Sequence, residues 1–246
     1  PASWSRYPYG AFIDGGRIYG RGAADQKGSL AAMILAGAFL KQDLGATLSG
    51  ELFVAATVQQ ERFEGFSSRV VGETVRPDRV ILGEATDLQI ARGQRGRAEI
   101  VVETHGVMAH SAHPEYGVNA ANKMVKLISA LKERFRPPTD PFLGKGILVL
   151  TSLCSSPIPG AGAIPDRCTA TFDRRLLLGE TRDAVIGRIR EIVDWLGLKD
   201  SELKADVHIS KGEERCYTGS FLAGEHFAPA WVLSPGDGFL ERARAG

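Results

Sequence analysis

The sequence predicts an α/β protein of 246 residues that carries an inserted α+β domain. Two observations favour this class. In the first part of the chain, short apolar runs of strand length alternate with helical patterns, which is typical of βα units. From Arg95 onward, the predicted elements follow the order β-α-β-β-α-β. We therefore expect an α/β domain over residues 1–94, resumed at 211–246, with the inserted domain over 95–210.

The composition is that of an ordinary globular domain, with 43% hydrophobic and 24% charged residues. A net charge of +1 gives no electrostatic reason to expect a nucleic-acid partner. No apolar run approaches the ~20 residues that span a bilayer, so no membrane partner is expected. The three cysteines are scattered, which favours reduced thiols and a cytoplasmic location.

The elements of the first part follow from local patterns. Residues 17–19 form an extended run, and apolar residues at helical spacing predict a buried helix over 29–41. The apolar runs at 50–58 and 78–82 have the length of strands. We expect these strands to belong to a mainly parallel sheet.

The inserted part has clearer periodicity. We predict strands over 97–104, 146–153, 168–177 and 207–210, and amphipathic helices over 119–135 and 181–196. The second helix begins at Thr181, a residue type that caps helices. This order predicts a ferredoxin-like domain. A last helix is expected over 238–245.

A glycine-lined turn over residues 20–28 places Asp25 between the extended run and the first helix. A phosphate-binding loop requires Gly-Lys-Ser/Thr, whereas the order here is Lys27-Gly28-Ser29. The turn therefore offers a carboxylate at the end of a strand, where α/β enzymes place ligands and catalytic groups.

Glu61 and Glu84 also follow predicted strands. Because the carboxyl ends of parallel strands share one edge of a sheet, we expect Asp25, Glu61 and Glu84 to converge. Clustered carboxylates suit a divalent cation, and a pair of such ions can polarise a carbonyl and activate water. The simpler alternatives are an N-cap for Asp25, a solvated loop for Glu61 and a surface turn for Glu84.

Several motifs resemble metallopeptidase family 20. They are Gly-Arg-Gly-Ala-Ala-Asp-Gln-Lys-Gly at 20–28, Gly-Glu-Ala-Thr at 83–86 and Gly-Val-Met-Ala-His-Ser-Ala-His-Pro at 106–114. This family includes acetylornithine deacetylase, succinyl-diaminopimelate desuccinylase, carboxypeptidases and aminoacylases. The amino-acid sequence around residues 57–65, 83–96 and 173–175 most resembles that of uncharacterised hydrolases linked by name to selenium metabolism.

The resemblance implies a zinc-peptidase-like catalytic domain with a ferredoxin-like lid that forms a homodimer. It implies two zinc ions, with cobalt or manganese as alternatives, bridged by Asp25 and bound singly by Glu61 and Glu84. Gln60 occupies the position of the general-base glutamate. A second register would make Glu61 the base but would put Arg62 at a ligand position, and the first register aligns the flanking residues without a gap.

The resemblance also implies that His110 stabilises the oxyanion and that Arg175 binds the substrate carboxylate. On the residues alone, His110 could be a hydrogen-bonded loop residue and Arg175 a surface charge. His113 receives no ligand role because Pro114 argues against a helix. Gly162 lies where some relatives carry a substrate-binding asparagine. The implied substrate is an N-acyl amino acid or a small peptide, cleaved at a linear amide bond.

Two zinc-binding histidines of the family have no counterpart here. None of the histidines precedes Asp25, and the setting of His226 differs from the family's last motif. Both ends of the catalytic domain are expected to be truncated, and metal binding to be weak or absent. We expect an impaired enzyme. The alternatives are a non-catalytic binding or dimerisation module, or a gene fragment without a stable fold.

Overall fold

A computed structural model describes residues 4–158, 160 and 162–245. The chain divides into two compact units. The first contains Pro1–Gln60 and Gly65–Ala91, and the second contains Glu61–Glu64 and Arg92–Gly246. The predicted division at 94/95 and 210/211 stays a prediction.

In its described residues, the first unit contains one small hairpin and two α-helices. Strands β1 and β2 pair antiparallel, with Ile13 opposite Ile18. A short helical segment over Ala23–Lys27 leads directly into helix α1, and α1 is followed by one 3₁₀ turn. The bounds are β1 Phe12–Asp14, β2 Arg17–Tyr19, α1 Gly28–Leu44, the turn Gly45–Thr47 and α2 Phe66–Val75.

The structure contradicts two expectations for this unit. The runs 50–58 and 78–82 are not strands, because they have no hydrogen-bonded neighbour in the part of the chain that the structure describes. A strand needs such partners to be stable. The helix at 28–44 forms, but none of its described residues is buried. The apolar side chains of this helix are not covered by any other layer of the described structure. The prediction of a buried helix is therefore wrong.

The second unit carries most of the regular structure. Its helices are α3 Ala120–Arg134, α4 Arg182–Gly197 and α5 Gly238–Ala245, with a 3₁₀ turn at Pro114–Tyr116. Its strands are β3 Gly93–Gln94, β4 Gly96–His105, β5 Ala109–His110, β6 Thr139–Asp140, β7 Gly144–Lys145, β8 Ile147–Ser156, β9 Ala163–Ile164, β10 Arg167–Leu176, β11 Lys204–Ile209, β12 Lys211–Arg215, β13 Phe221–Glu225, β14 Phe227–Ala228 and β15 Trp231–Val232.

The main sheet of this unit is antiparallel, in the order β11-β4-β10-β8, and β14 also pairs with β4. The sequence order β4-α3-β8-β10-α4-β11 gives the ferredoxin-like arrangement that the periodicity predicts. In the register, Phe172 lies opposite Ile100 on one side and Leu150 on the other. Four shorter antiparallel pairs surround the sheet: β12-β13, β15-β3, β5-β9 and β6-β7.

The core lies between one face of this sheet and helices α3 and α4. Alternate residues of β4 and β10 point into it, as the strict alternation of their burial shows. Side-chain caps from Asn119 and Thr181 begin the two helices, by accepting from the backbone N–H groups of Asn122 and Ala184. The buried centre includes Ile100, Val102, Met124, Leu127, Phe172, Val185, Ile189 and Ile209.

Two buried cations are paired within this unit. The Lys123 ammonium donates to Asp200 at 2.6 Å and to Glu202 at 2.9 Å. The Arg174 guanidinium donates to both carboxylate oxygens of Glu180. Such pairs satisfy charges that would otherwise be costly to bury.

Over the described residues, no helix has both the length and the apolarity needed to cross a membrane.

Candidate functional site

The Asp25 turn and the Glu84 loop approach each other within the first unit. The Gln26 amide donates to Glu84 Oε2 at 3.5 Å, and the Ala85 N–H donates to Glu84 Oε1 at 3.1 Å. Gly83 packs tightly on α1, since a Cβ there would lie 2.5 Å from the Met33 methyl carbon. The Asp25 turn and the Glu84 loop, two predicted ligand loops, are thus neighbours near the start of α1.

Asp25 does not cap the helix that follows it. Helix α1 has Lys27 at its N-cap position and no side-chain capping hydrogen bond. Asp25 is exposed and has extended backbone dihedrals of −119° and 94°. The simpler interpretation of this residue as an N-cap is therefore wrong.

Gln60 and Glu61 are consecutive but are assigned to different units. Gln60 is exposed and ends the first stretch of the first unit, whereas Glu61 begins the short segment that belongs to the second. Convergence of Asp25, Glu61 and Glu84 remains a prediction. The parallel sheet on which that prediction rested is absent from the described residues.

A metal centre would require more donors than the first unit brings together. Among residues 4–158, 160 and 162–245, the structure groups no three His, Cys, Asp or Glu side chains that could hold a metal ion. A catalytic zinc takes three protein ligands and one open position. The donors that the described residues bring together are fewer than this number.

His110 is held on a small platform in the second unit. Strand β5, which carries it, pairs with β9, and the Ser111 N–H donates to the Gly162 carbonyl at 2.7 Å. The Ala112 N–H donates to His110 Nδ1 at 3.1 Å. Because Nδ1 accepts, the neutral imidazole carries its proton on Nε2. His110 therefore presents an N–H donor from an exposed ring.

The strand end that leads to this platform depends on Gly106. Its N–H donates to the Asp166 carbonyl at 2.7 Å. A Cβ at this position would collide with the carbonyl oxygen of Val118. The absence of a side chain lets the end of β4 and the segment before α3 approach closely.

His113 is not part of a helical metal motif. Its ring Nδ1 lies 3.4 Å from Glu115, and residues 114–116 form a 3₁₀ turn. The His110 and His113 ring centroids are 6.5 Å apart.

Arg175 lies on the outer face of β10, where its side chain is 43% exposed. Its Nε is 2.7 Å from Asp173 Oδ1. Asp173 also accepts from Arg97 Nε at 2.6 Å. Asp173 thus pairs with both Arg97 and Arg175, and the substrate role of Arg175 stays a prediction. A substrate carboxylate would have to compete with Asp173 for this guanidinium.

Arg97 is a centre of charge pairing that sequence patterns did not single out. Besides Asp173, it contacts Glu99 at 3.5 Å and Glu64 at 3.7 Å. Burial alone would lower the pKa of Arg97, but the hydrogen bond to Asp173 and the charge of Glu64 raise it overall. The only sequence signal was the run of charged residues at alternate positions of β4, which by itself indicates a solvated face.

Comparison with known proteins agrees with this architecture. Residues 92–201 match the peptidase dimerisation domain of the M20 family. The chain is 35% identical to the uncharacterized protein YgeY of Escherichia coli, over 94% of this chain and 56% of that protein. It is 30% identical to succinyl-diaminopimelate desuccinylase of Gluconobacter oxydans, over 95% of this chain and 58% of the enzyme.

Among solved structures, aminopeptidase PepT from Bacillus cereus superposes with a TM-score of 0.56 at 18% identity. This likeness covers 95% of this chain and 58% of PepT, and it concerns the fold alone. The ferredoxin-like sheet with its two helices is thus the part of the chain that matches the M20 peptidase dimerisation domain. The chain therefore carries an M20-type peptidase dimerisation domain over residues 92–201, and it spans just over half the length of these relatives.

Proposed function

We propose that this chain is the lid-bearing part of a metal-dependent hydrolase that cleaves linear amide bonds in N-acyl amino acids or small peptides. The desuccinylase relatives support this reaction class. The observation that carries the proposal is the presentation of His110 within a matched M20 domain. We place the protein in the cytoplasm, since its three cysteines are free.

Amide hydrolysis passes through a tetrahedral oxyanion, which a preorganised N–H donor stabilises. The Ala112 N–H donates to Nδ1 of His110, so Nε2–H is the donor that the ring presents to an oxyanion. Donors of this kind typically contribute about 10²–10³ in kcat. His110 is therefore assigned to the oxyanion.

Asp25, Glu61 and Glu84 are proposed as the carboxylates that hold the metal, with zinc preferred over cobalt or manganese. The M20 relatives and the proximity of the Gln26 and Glu84 side chains support this assignment. An ion held by these carboxylates would supply Lewis-acid chemistry, namely polarisation of the scissile carbonyl and activation of water. The carboxylates' own contribution is to provide hard oxygen donors at exposed loops.

Gln60 makes the activity of this chain weak. A neutral amide cannot take a proton from the attacking water, and positioned general-base catalysis contributes about 10²–10⁴-fold. Arg175 is proposed to bind the carboxylate of the substrate, since its planar guanidinium suits a bidentate partner. Its present pairing with Asp173 keeps it oriented on the exposed sheet face.

Pairing of two copies is proposed to occur along β8, one of the two edge strands of the main sheet. Leu150 and Leu153 lie opposite Phe172 and Ala170, on the face that contains the core, yet Leu153 is 50% exposed. Val125 on α3 is also exposed. An unpaired edge beside apolar side chains favours strand addition from a second copy, in agreement with the matched dimerisation domain.

A non-catalytic dimerisation module is the second candidate, and the observation that favours it is Gln60. One comparison separates the two. The chain and its Gln60→Glu variant are incubated with zinc and a panel of N-acetyl and N-succinyl amino acids and dipeptides. The hydrolase proposal expects weak turnover that rises about 10²–10⁴-fold in the variant. If neither protein hydrolyses any substrate while both dimerise, the module is the correct function.

A further inference from the structure

Each of the three residues that follow Glu61 packs or forms an ion pair within the second unit. Arg62 Nε lies 2.6 Å from Glu214 Oε1, on β12. Phe63 is buried, with 1% of its surface exposed. Glu64 lies 3.7 Å from Arg97, on β4. The segment 61–64 is therefore part of the second unit by contact, although 92–246 supplies the rest of it.

Phe63 fills a notch that is shaped for it. Its ring packs edge-on against His226, with centroids 4.7 Å apart. Gly212 forms another wall, because a Cβ there would lie 2.5 Å from Phe63 Cε2 and would also collide with the His226 ring. At position 212 of the β12–β13 hairpin, only glycine leaves room for the phenyl ring.

The wall behind the notch is itself fixed by backbone hydrogen bonds. The His226 N–H donates to the Ser210 carbonyl at 2.9 Å, and the His226 carbonyl accepts from the Glu99 N–H at 3.0 Å. The notch thus joins β4, β12 and the start of β14. Its position is set by the main sheet and not by the segment that occupies it.

We infer that Phe63 is a positioning residue for Glu61, with Arg62 and Glu64 as flanking ion pairs. The main sheet, through the notch, determines where the Glu61 carboxylate lies. Gln59 and Gly65, which bracket this segment, both have positive φ, of 62° and 77°. Both residues thus lie in the left-handed region of backbone conformation. The inference rests on the proposed role of Glu61 in the hydrolase.

Charge reversal offers a test that leaves the notch intact. Arg62→Glu, Glu214→Arg and the double variant are compared with Arg244→Glu, which reverses an exposed charge that pairs with Glu241. Amide hydrogen exchange over 61–64 is measured by mass spectrometry. We expect each single variant to speed exchange at least tenfold and the double variant to restore slow exchange. Arg244→Glu should leave it unchanged.

Activity provides the second readout, in the Gln60→Glu background. Arg62→Glu should lower kcat about tenfold with KM unchanged, and adding Glu214→Arg should recover it. Phe63→Ala should lower kcat further than Phe63→Leu, which keeps an apolar side chain in the notch. Tyr217→Ala, at an almost fully exposed aromatic between β12 and β13, should have no effect.

The outcomes separate this inference from the proposed function. Fast exchange over 61–64 in the unaltered chain, or no recovery in the double variant, overturns the inference. Hydrolysis with a kcat that is unaffected by Arg62→Glu and Phe63→Ala also overturns it. Absence of hydrolysis in the Gln60→Glu background contradicts the proposed function instead, and with it the positioning role, whereas slow exchange would still establish the docking of 61–64.

Discussion

Arg174 and Glu180 form a bidentate ion pair inside the second unit, with N–O distances of 2.6 and 2.7 Å. Arg174 is only 1% exposed, and Glu180 also accepts from the Leu177 N–H at 2.8 Å. Burial lowers the pKa of Arg174, against the charge and hydrogen bond of Glu180. The pair ties the end of β10 to the turn before α4.

Removal of one partner of this pair should be costly. Glu180→Ala leaves the buried Arg174 guanidinium without its counter-charge, and we expect a loss of about 3–5 kcal/mol in the free energy of unfolding. Denaturant titration measures it. The double variant Arg174→Met/Glu180→Leu should be more stable than Glu180→Ala. Equal losses in both would show that the charge pairing is not the cause.

Asp200 should make stability depend on acid pH. Hydrogen bonds from Lys123 and then Lys126 lower its pKa to about 2 in the folded chain, against an ordinary 3.8. A lowered folded pKa contributes stability that is complete above the unfolded value. This contribution should therefore disappear as the pH falls from about 4 towards about 2, and thermal unfolding across that range would show it.

Asp200→Asn should remove that acid dependence and cost about 1–3 kcal/mol at neutral pH, since charged hydrogen bonds to the largely buried Lys123 are lost. Asp183→Asn is the matched control, because the Asp183 side chain is almost fully exposed. Its effect should stay within about 0.5 kcal/mol. An unchanged acid profile in Asp200→Asn would rule out this residue as the source.

The dimer proposal predicts that a charged side chain introduced on β8 lowers the molecular mass of the protein in solution from that of a dimer to that of a monomer. Leu153→Lys places an ammonium among apolar side chains that a second copy would cover, so we expect the monomer in light scattering coupled to size-exclusion chromatography. Leu198→Lys is the control, because Leu198 is exposed on the loop after α4. Dimers of undiminished affinity in Leu153→Lys would place the interface elsewhere.

His110→Ala should lower kcat about 10²–10³-fold in the Gln60→Glu background, since it removes the proposed oxyanion donor. His113→Ala should change kcat little, because His113 pairs with Glu115 at the surface. Steady-state kinetics on one N-acetyl amino acid measure kcat for both variants. Similar losses in the two would indicate a loop effect instead of oxyanion stabilisation.

The inserted domain was predictable because its periodicities are unambiguous. Strand β4 alternates buried and partly exposed residues along its whole length, and helix α4 repeats its apolar residues at helical spacing after a Thr181 cap. Local patterns of this kind determine element type when one face is buried and the other is solvated. The family match over 92–201 confirms that part of the interpretation.

The first unit was predicted less well because its apolar runs carry no period. Residues 50–58 and 78–82 have the composition of buried strands, but composition does not supply the neighbours that a strand needs. The docking of Phe63 against His226 was also out of reach, since it joins residues 163 positions apart along the chain. No local pattern encodes a contact of that separation.

The importance of Gly106 is steric. The residue contributes no atom to catalysis and none to the apolar interior. Any larger amino acid would nevertheless push apart the end of β4 and the backbone segment before α3. In a saturation library screened for expression, this codon should tolerate replacement as poorly as the codons for Ile100 or Phe172. Intolerance at such a codon would reflect close approach of backbone and would give no information about chemistry.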